Sequence, residues 1–363
     1  MQEPSHKPSA QLAPQAAFWD KLPKPFFVLA PMADVTDAAF RTVIARHGMP
    51  DVMWTEFVSA DGLARAPKAL PKNAKPGDIP PFEKLTRDLL YTEAERPIVA
   101  QFFSSHPENM LEAARIAREM GFDGIDINMG CPDRSIEKQG AGAAMMKDAK
   151  AARAVIRAAK EGSMLNGIAL PVSVKTRIGY NKDQLAEWLP ELLVENPAAI
   201  TLHARTRKEM SKVPARWEHV AEAVRIRDRI QADQPVKTLI IGNGDVTDIV
   251  NARARAKETG CDGVMLGRAI FGNPWLFNAQ NRAAKNSADI FVPSVQERLT
   301  VMVEHTKLFE KLLGDIKNFA IMKKHYKAYV NNFDGAAALR AELMECADSG
   351  EVDLKIKAFL KVA

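Results

Sequence analysis

The sequence predicts an α/β protein: a closed (β/α)8 TIM barrel followed by a small all-helical C-terminal domain. Three observations carry that expectation. Short apolar runs recur eight times, each ending in glycine or polar residues. Stretches with helical spacing separate them. Beyond about residue 290 the strand signals stop and only helical pattern remains.

The eight runs are, in order, "FFVLAPMA" (26–33), "DVMWTEFVSA" (51–60), "PIVAQFF" (97–103), "GIDINMG" (124–130), "VSVKTRI" (172–178), "AITLHAR" (199–205), "TLIIGNGDV" (238–246) and "GVMLGRAIFG" (263–272). The clearest helical stretches are "PENMLEAARIAREMGF" and "TDIVNARARAKETG", the second with a C-cap at Gly260. Strands this continuously apolar, alternating with helices, belong to a parallel sheet covered on both faces. Eight of them in about 250 residues point to a closed barrel. An open dinucleotide-binding sheet would want G-x-G-x-x-G after its first strand, and "APMADVTDAAFR" has no glycine there. Residues 1–22 read as a flexible lead-in, 23–288 as the barrel and 289–363 as the helical domain. The proline- and lysine-rich stretch 64–90 reads as an extended excursion on the loop after the second strand.

With 363 residues, 26% charged and 47% apolar, the chain has the composition of a soluble globular protein. A net charge of +5 permits a polyanionic partner. Cys131, Cys261 and Cys346 are odd in number and far apart, which fits neither a disulfide framework nor a thiolate cluster and suits a reducing cytoplasm. The seven histidines show no metal-ligand spacing, so no metal is expected. The polar, proline-dotted N-terminus is not a signal peptide, and no apolar stretch reaches the roughly 18 residues that span a membrane. A cytoplasmic monomer with no membrane partner is expected.

In a barrel of this kind chemistry collects where the strands run out at the C-terminal face. The polar residues there are Met32 and Asp34, Glu56, Gln101, Asn128 and Cys131, Lys175 and Arg177, His203 and Arg205, Asn243 and Asp245, and Arg268. Lys175 and His203 lie inside apolar runs, where a buried cation is costly unless something pairs with it. Glycines in "IIGNGDV" and "MLGRAIFGNP" mark the seventh and eighth strands, where barrels often hold a phosphate on backbone N–H groups, and Arg268 can add a bidentate contact. A phosphorylated ligand fits that corner.

Eight segments, "LAPMADVTDAAFR", "TEFVSADGL", "AQFFSSHPENM", "DINMGCPDRSIEKQGAGAAMM", "VSVKTRIG", "LHARTR", "IGNGDV" and "MLGRAIFGNPWLF", resemble the successive motifs of the tRNA-dihydrouridine synthases, in the family's order and over roughly residues 26–280. "MKKHYKAYVNNFDGAAALRAELM" (322–344) is similar to that family's helical C-terminal segment. The resemblance implies an FMN-dependent oxidoreductase that reduces the C5–C6 double bond of particular uridines in tRNA, with NADPH as reductant. It assigns Asn243, Gly244, Asp245, Gly267 and Arg268 to the FMN phosphate, and Pro31, Met32 and Ala33 to the face of the isoalloxazine ring. Gln101 and Lys175 match positions that hydrogen-bond the ring, and His203 matches one close to it.

Cys131 matches the family's general acid: hydride from flavin N5 to C6 of the uracil leaves charge to be quenched by a proton at C5. A thiol of ordinary pKa ~8.5 can supply that proton at neutral pH. Gly130 and Pro132 would let the loop approach the base. Asn128 matches a position on the uracil edge, and Arg205 is expected on the substrate side. The base must leave its stack to reach such a pocket. Within 317–333, Phe319, Met322, Tyr326, Tyr329, Val330 and Phe333 fall on one helical arc and Lys317, Lys324 and Lys327 on the opposite one, the second arc expected against tRNA phosphates. After "HARTR" the family's usual tyrosine and glycine are replaced by "KEMSKVPARWEHV", which bears on which uridine is chosen and leaves the flavin positions untouched. A flavin barrel acting on a free pyrimidine such as dihydroorotate is the alternative reading.

Overall fold

Alternation along short apolar strands sends successive side chains to opposite faces, and in a barrel those faces are two separate cores. The computed structural model describes residues 18–70, 73–75 and 78–362. In it Phe26 and Val28 of β1 (Phe26–Leu29) join the inner cluster with Val52, Trp54, Val99, Ile241 and Met265. Phe27 and Leu29 join the outer cluster beneath the helices. The other strands are β2 (Met53–Ser59), β3 (Ile98–Phe103), β4 (Gly124–Met129), β5 (Val172–Arg177), β6 (Ala199–His203), β7 (Leu239–Asn243) and β8 (Gly263–Leu266).

Every paired neighbour is parallel, in the order β1-β8-β7-β6-β5-β4-β3-β2. Asp51 N–H donates to Phe27 C=O (2.9 Å) and Leu29 N–H to Val52 C=O (3.3 Å), which closes the ring between β1 and β2. The strands stop earlier than the apolar runs suggest. β1, β7 and β8 end at Leu29, Asn243 and Leu266, because the residues that follow turn to form the mouth.

Helices cover the outside, among them Ala38–His47, Pro107–Glu119, Ala149–Gly162, Leu185–Leu193, Glu218–Ile230 and Ile249–Thr259. Asp37, Asp148 and Asp248 cap three of them with side-chain carboxylates, and Gly260 ends the last in the left-handed conformation expected of it.

Two sequence expectations change. Most of the lead-in, residues 1–17, lies outside the described residues, but Trp19 is 3% exposed and packs on Phe26 (5.8 Å) and Trp54 (6.0 Å). A large apolar ring plugs the bottom of the barrel, so that part of the lead-in is not flexible. Within 64–90, expected to be extended, Pro81–Arg87 is a helix with proline at its first position. Arg87 pairs with Asp315 (3.1 Å) and donates to Leu312 C=O (3.3 Å), so the excursion lies against the C-terminal helices.

Those helices are Val295–Leu313, opened by a Ser294/Glu297 capping box, then Met322–Tyr329, Ala336–Glu345 and Ser349–Val362. They pack on Ala38–His47 around Phe40, whose ring stacks on His305 (4.7 Å) and meets His325 edge-on (5.1 Å). Burial drives both imidazoles down, His325 to about 3, so they serve as neutral rings in an apolar seam. Met322, Tyr326, Tyr329 and Val330 are buried on the expected apolar arc, with Phe319 and Phe333 packed at its edge. Among the described residues no helix is long and apolar enough to cross a membrane.

Candidate active site

The mouth is built strand by strand. At the end of β4, Asn128 directs the backbone: its Oδ1 accepts from the N–H groups of Gly130 (3.1 Å) and Cys131 (2.9 Å). This Asx-type turn lifts the chain out of the sheet and holds Cys131 on the rim, half-buried beside Phe57, Phe103, Ile136 and Ala141. Ala143 N–H donates to Cys131 C=O (2.9 Å), and Arg177 Nε donates to Gly130 C=O (2.7 Å). A side chain at Gly130 would come within 3.3 Å of the Thr176 backbone. The glycine therefore lets the loop pack on β5, where the sequence suggested that it faced the substrate. Burial raises the Cys131 thiol above its ordinary range, against the pull of the Asp133 backbone N–H, so it is protonated at neutral pH.

Behind this loop runs a chain of buried hydrogen bonds. Asn128 Nδ2 donates to Gln101 Oε1 (3.2 Å), Gln101 Nε2 to Asp126 Oδ2 (2.6 Å), and Ser173 Oγ to Asp126 Oδ1 (2.5 Å). Burial raises the Asp126 carboxyl to about 6 despite the Ser173 and Gln101 donors. Gln101, expected at a flavin ring, is 0% exposed; its Oε1 accepts from Asn128 and one amide hydrogen goes to Asp126, which leaves the other without a partner among the described residues. It braces the loop from one layer below. Asn128 keeps a single amide hydrogen free, since its oxygen shapes the turn and its other hydrogen goes to Gln101.

Lys175, opposite Asn128 in the β4–β5 register, is half-buried. No carboxylate of the described residues comes within ion-pair distance of it, and burial with the nearby Arg177 pulls its ammonium down to about 8. A cation so placed is a candidate to bind an anion. His203, next around the rim, is held well below its ordinary range by burial and by Arg177, Lys175, Arg205 and Arg268. Its Nε2 lies 3.2 Å from Arg205 Nη1. A guanidinium can only donate, so Nε2 is the acceptor and the neutral ring carries its proton on Nδ1.

Arg205, expected on the substrate side, is 2% exposed. Its guanidinium is committed to His203, to Val213 C=O (2.6 Å) and to Asp245, because a buried guanidinium must be satisfied from within. It positions His203 and Asp245.

At the ends of β7 and β8 the backbone takes over. Gly244 has φ 130°, and a Cβ there would lie 2.7 Å from Ala215 Cβ. Only glycine fits that turn. Trp217 Nε1 takes the Gly244 C=O (2.9 Å), while the N–H groups of Gly244, Asp245 and Gly267 find no partner among the described residues. Asp245 cannot meet a phosphate through its side chain: the carboxylate is held by Arg205, by Arg268 (2.5 Å) and by Ala215 N–H (2.8 Å). Its contribution is its N–H and its hold on Arg268, whose side chain is 67% exposed. Asn243 Nδ2 ties β7 to Met265 C=O (2.9 Å). Met32, half-exposed with Pro31, lies against Gly267, and Ala33 is exposed at the same edge.

One rim thus gathers Cys131, Lys175, His203, the strand-seven and strand-eight N–H groups and residues 31–33. Of the tail lysines, Lys324 and Lys327 are exposed, Lys327 beside Phe333 and Arg340. Lys317 departs from expectation and turns inward to Glu56 (2.7 Å) and Asp88 (2.8 Å). Sequence reasoning gave no role to Asp126, and left Arg177 and Glu56 as bare strand-end residues. A carboxylate inside "GIDINMG" was the available signal for the first. Cys261 and Cys346 are buried.

A family model described as dihydrouridine synthase matches residues 28–363. A protein of Staphylococcus aureus (strain COL) named probable tRNA-dihydrouridine synthase is 36% identical over 344 residues, 94% of this chain and 95% of that one. A probable tRNA-dihydrouridine synthase 2 of Bacillus subtilis (strain 168) is 36% identical over 336 residues, 92% and 94% of the two chains. Among solved structures, a 2-naphthoyl-CoA reductase in complex with 2-naphthoyl-CoA superposes with TM-score 0.50 at 8% identity, covering 71% of this chain and 50% of that one, a likeness of fold alone.

Proposed function

This chain belongs to the dihydrouridine synthase family, and from that premise we propose that it is a tRNA-dihydrouridine synthase, a cytoplasmic, monomeric oxidoreductase that uses FMN and draws electrons from NADPH. The observation that carries the reading is a protonated thiol, Cys131, on the same rim as Lys175, a half-buried cation with no carboxylate within ion-pair distance among the described residues.

The donor set fits a flavin mononucleotide. The N–H groups of Gly244, Asp245 and Gly267, without partners among the described residues, and the reach of Arg268 suit its phosphate. Lys175 and the Nδ1–H of His203 suit its electron-rich ring edge, and residues 31–33 its face. When bound, the flavin supplies a hydride to C6 of the uracil.

The protein supplies the rest. Cys131 donates its Sγ proton to C5, and the Asn128 turn and the Arg177 bond to Gly130 C=O hold that sulfur in place. The free amide hydrogen of Asn128 meets a carbonyl of the base. The uridine reaches the mouth flipped out of its stack. Lys324 and Lys327 hold phosphates of the tRNA and carry no sequence information.

The reading is tested with purified protein, NADPH and either a tRNA transcript or free uracil, orotate and dihydroorotate. Yellow protein releasing FMN, and dihydrouridine formed in the transcript alone, is the expected result. Turnover of a free pyrimidine without tRNA turnover would replace this reading with the alternative.

A further inference from the structure

β2 carries a bulge. Trp54 faces Val99 and Phe57 faces Gln101, so β2 has one residue more than β3 between those pairs. A bulge bends its strand and re-aims a side chain. Here Glu56, 4% exposed, is turned toward the β1 loop and the C-terminal helices. One carboxylate oxygen accepts the N–H of Asp34, and the other accepts the Lys317 ammonium (2.7 Å). Lys317 follows the helix Val295–Leu313 and also lies 2.8 Å from Asp88 and 3.9 Å from Asp34.

Asp34 sits at φ 52°, a left-handed conformation that a residue with a side chain adopts only where its surroundings hold it. The turn before it is tied within itself, with Met32 C=O accepting from Val35 N–H (3.1 Å) and Thr36 N–H (3.0 Å). The bond from Asp34 N–H to Glu56 is its link to β2 and, through the buried Lys317, to the tail; at the surface Lys324 of the tail also lies 3.8 Å from the Asp34 carboxylate.

We propose that Glu56 and Lys317 are positioning residues that couple the seating of the helical tail to the conformation of residues 31–34, so that the tail sets one wall of the reaction pocket. The wall's share in uridine reduction rests on the function proposed above; the coupling itself does not.

Hydrogen exchange of a peptide spanning 31–36, in the full-length protein without substrate, reads the coupling. The double variant Glu56→Met/Lys317→Met removes both charges together, so no buried ion is left facing an apolar partner. Its 31–36 segment is expected to exchange at least about ten-fold faster than in the wild type while β4 and β5 keep their protection. Lys317→Arg is expected to retain wild-type protection. Unchanged exchange in the double variant overturns the coupling. In steady-state assays the same variant should lose about ten-fold in kcat with tRNA affinity unchanged. Normal kcat alongside faster exchange would overturn the pocket-wall half of the proposal. Absence of uridine reduction in the wild type would defeat the functional reading and leave the exchange result standing.

Discussion

Lys175 and Lys317 are both lysines set into the barrel mouth, and the protein treats them in opposite ways. Lys317 has Glu56 at 2.7 Å and Asp88 at 2.8 Å, and those carboxylates raise its ammonium far above the ordinary range against the cost of burial. Lys175 has no carboxylate in reach among the described residues, and burial pulls it down to about 8. The first cation is satisfied by the fold and belongs to its architecture. The second has no such partner among the described residues and, on the proposed function, is met by the flavin. The contrast separates a residue satisfied by the fold from a candidate ligand-binding one.

The comparison breaks first on stability. Lys317→Met strands the Glu56 carboxylate and should cost about 3–5 kcal/mol in urea denaturation. Burial already holds Glu56 near 7, so the loss should shrink as pH falls below neutrality and the acid neutralises. A loss under about 1 kcal/mol would make the pair an ordinary surface contact.

Lys175→Met should do the reverse. It should cost about 10²–10³-fold in tRNA reduction and loosen FMN, yet leave the flavin-free protein as stable as the wild type or more so. The sign follows from its depressed pKa. Between about 8 and the unfolded value of 10.5 the unfolded chain binds the extra proton, so stability falls as pH drops through that window. The slope is up to about 1.4 kcal/mol per pH unit for that one group, and it should vanish in the variant. Comparing variant with wild type cancels Lys160, which burial also brings to about 8.

The smallest effect belongs to the outward lysines. Lys324→Ala/Lys327→Ala should weaken tRNA binding several-fold and reduce the salt slope by about one to two, measured from 50 to 200 mM salt. An unchanged slope would return both to solvated surface.

The barrel was legible because its signal is redundant: eight apolar runs, each with a helix behind it, name the architecture even when their ends are misjudged. The turns at Gly244 and Gly267 were legible because glycine at a strand end has few other uses. Partners were not legible. Nothing in "KNFAIMKK" distinguishes Lys317, which turns inward to Glu56, from Lys324, which stays exposed with Asp34 at 3.8 Å, because the carboxylates that decide the matter lie more than 200 residues away in sequence. For the same reason Arg205 and Gln101, polar residues on mouth-forming strands, were expected to touch ligands. Both are buried and hydrogen-bonded to neighbours. Motif reading finds who lines the mouth; only packing says who is still free.

The central claim is that the Cys131 sulfur delivers the proton that completes reduction. Cys131→Ala, isolated with its flavin, reduced without oxygen and mixed with tRNA, tests it directly. The account predicts flavin content and tRNA binding like the wild type, with tRNA-driven reoxidation and dihydrouridine formation slowed by about 10²–10⁴-fold. Reoxidation at the wild-type rate with a full yield of dihydrouridine would contradict it.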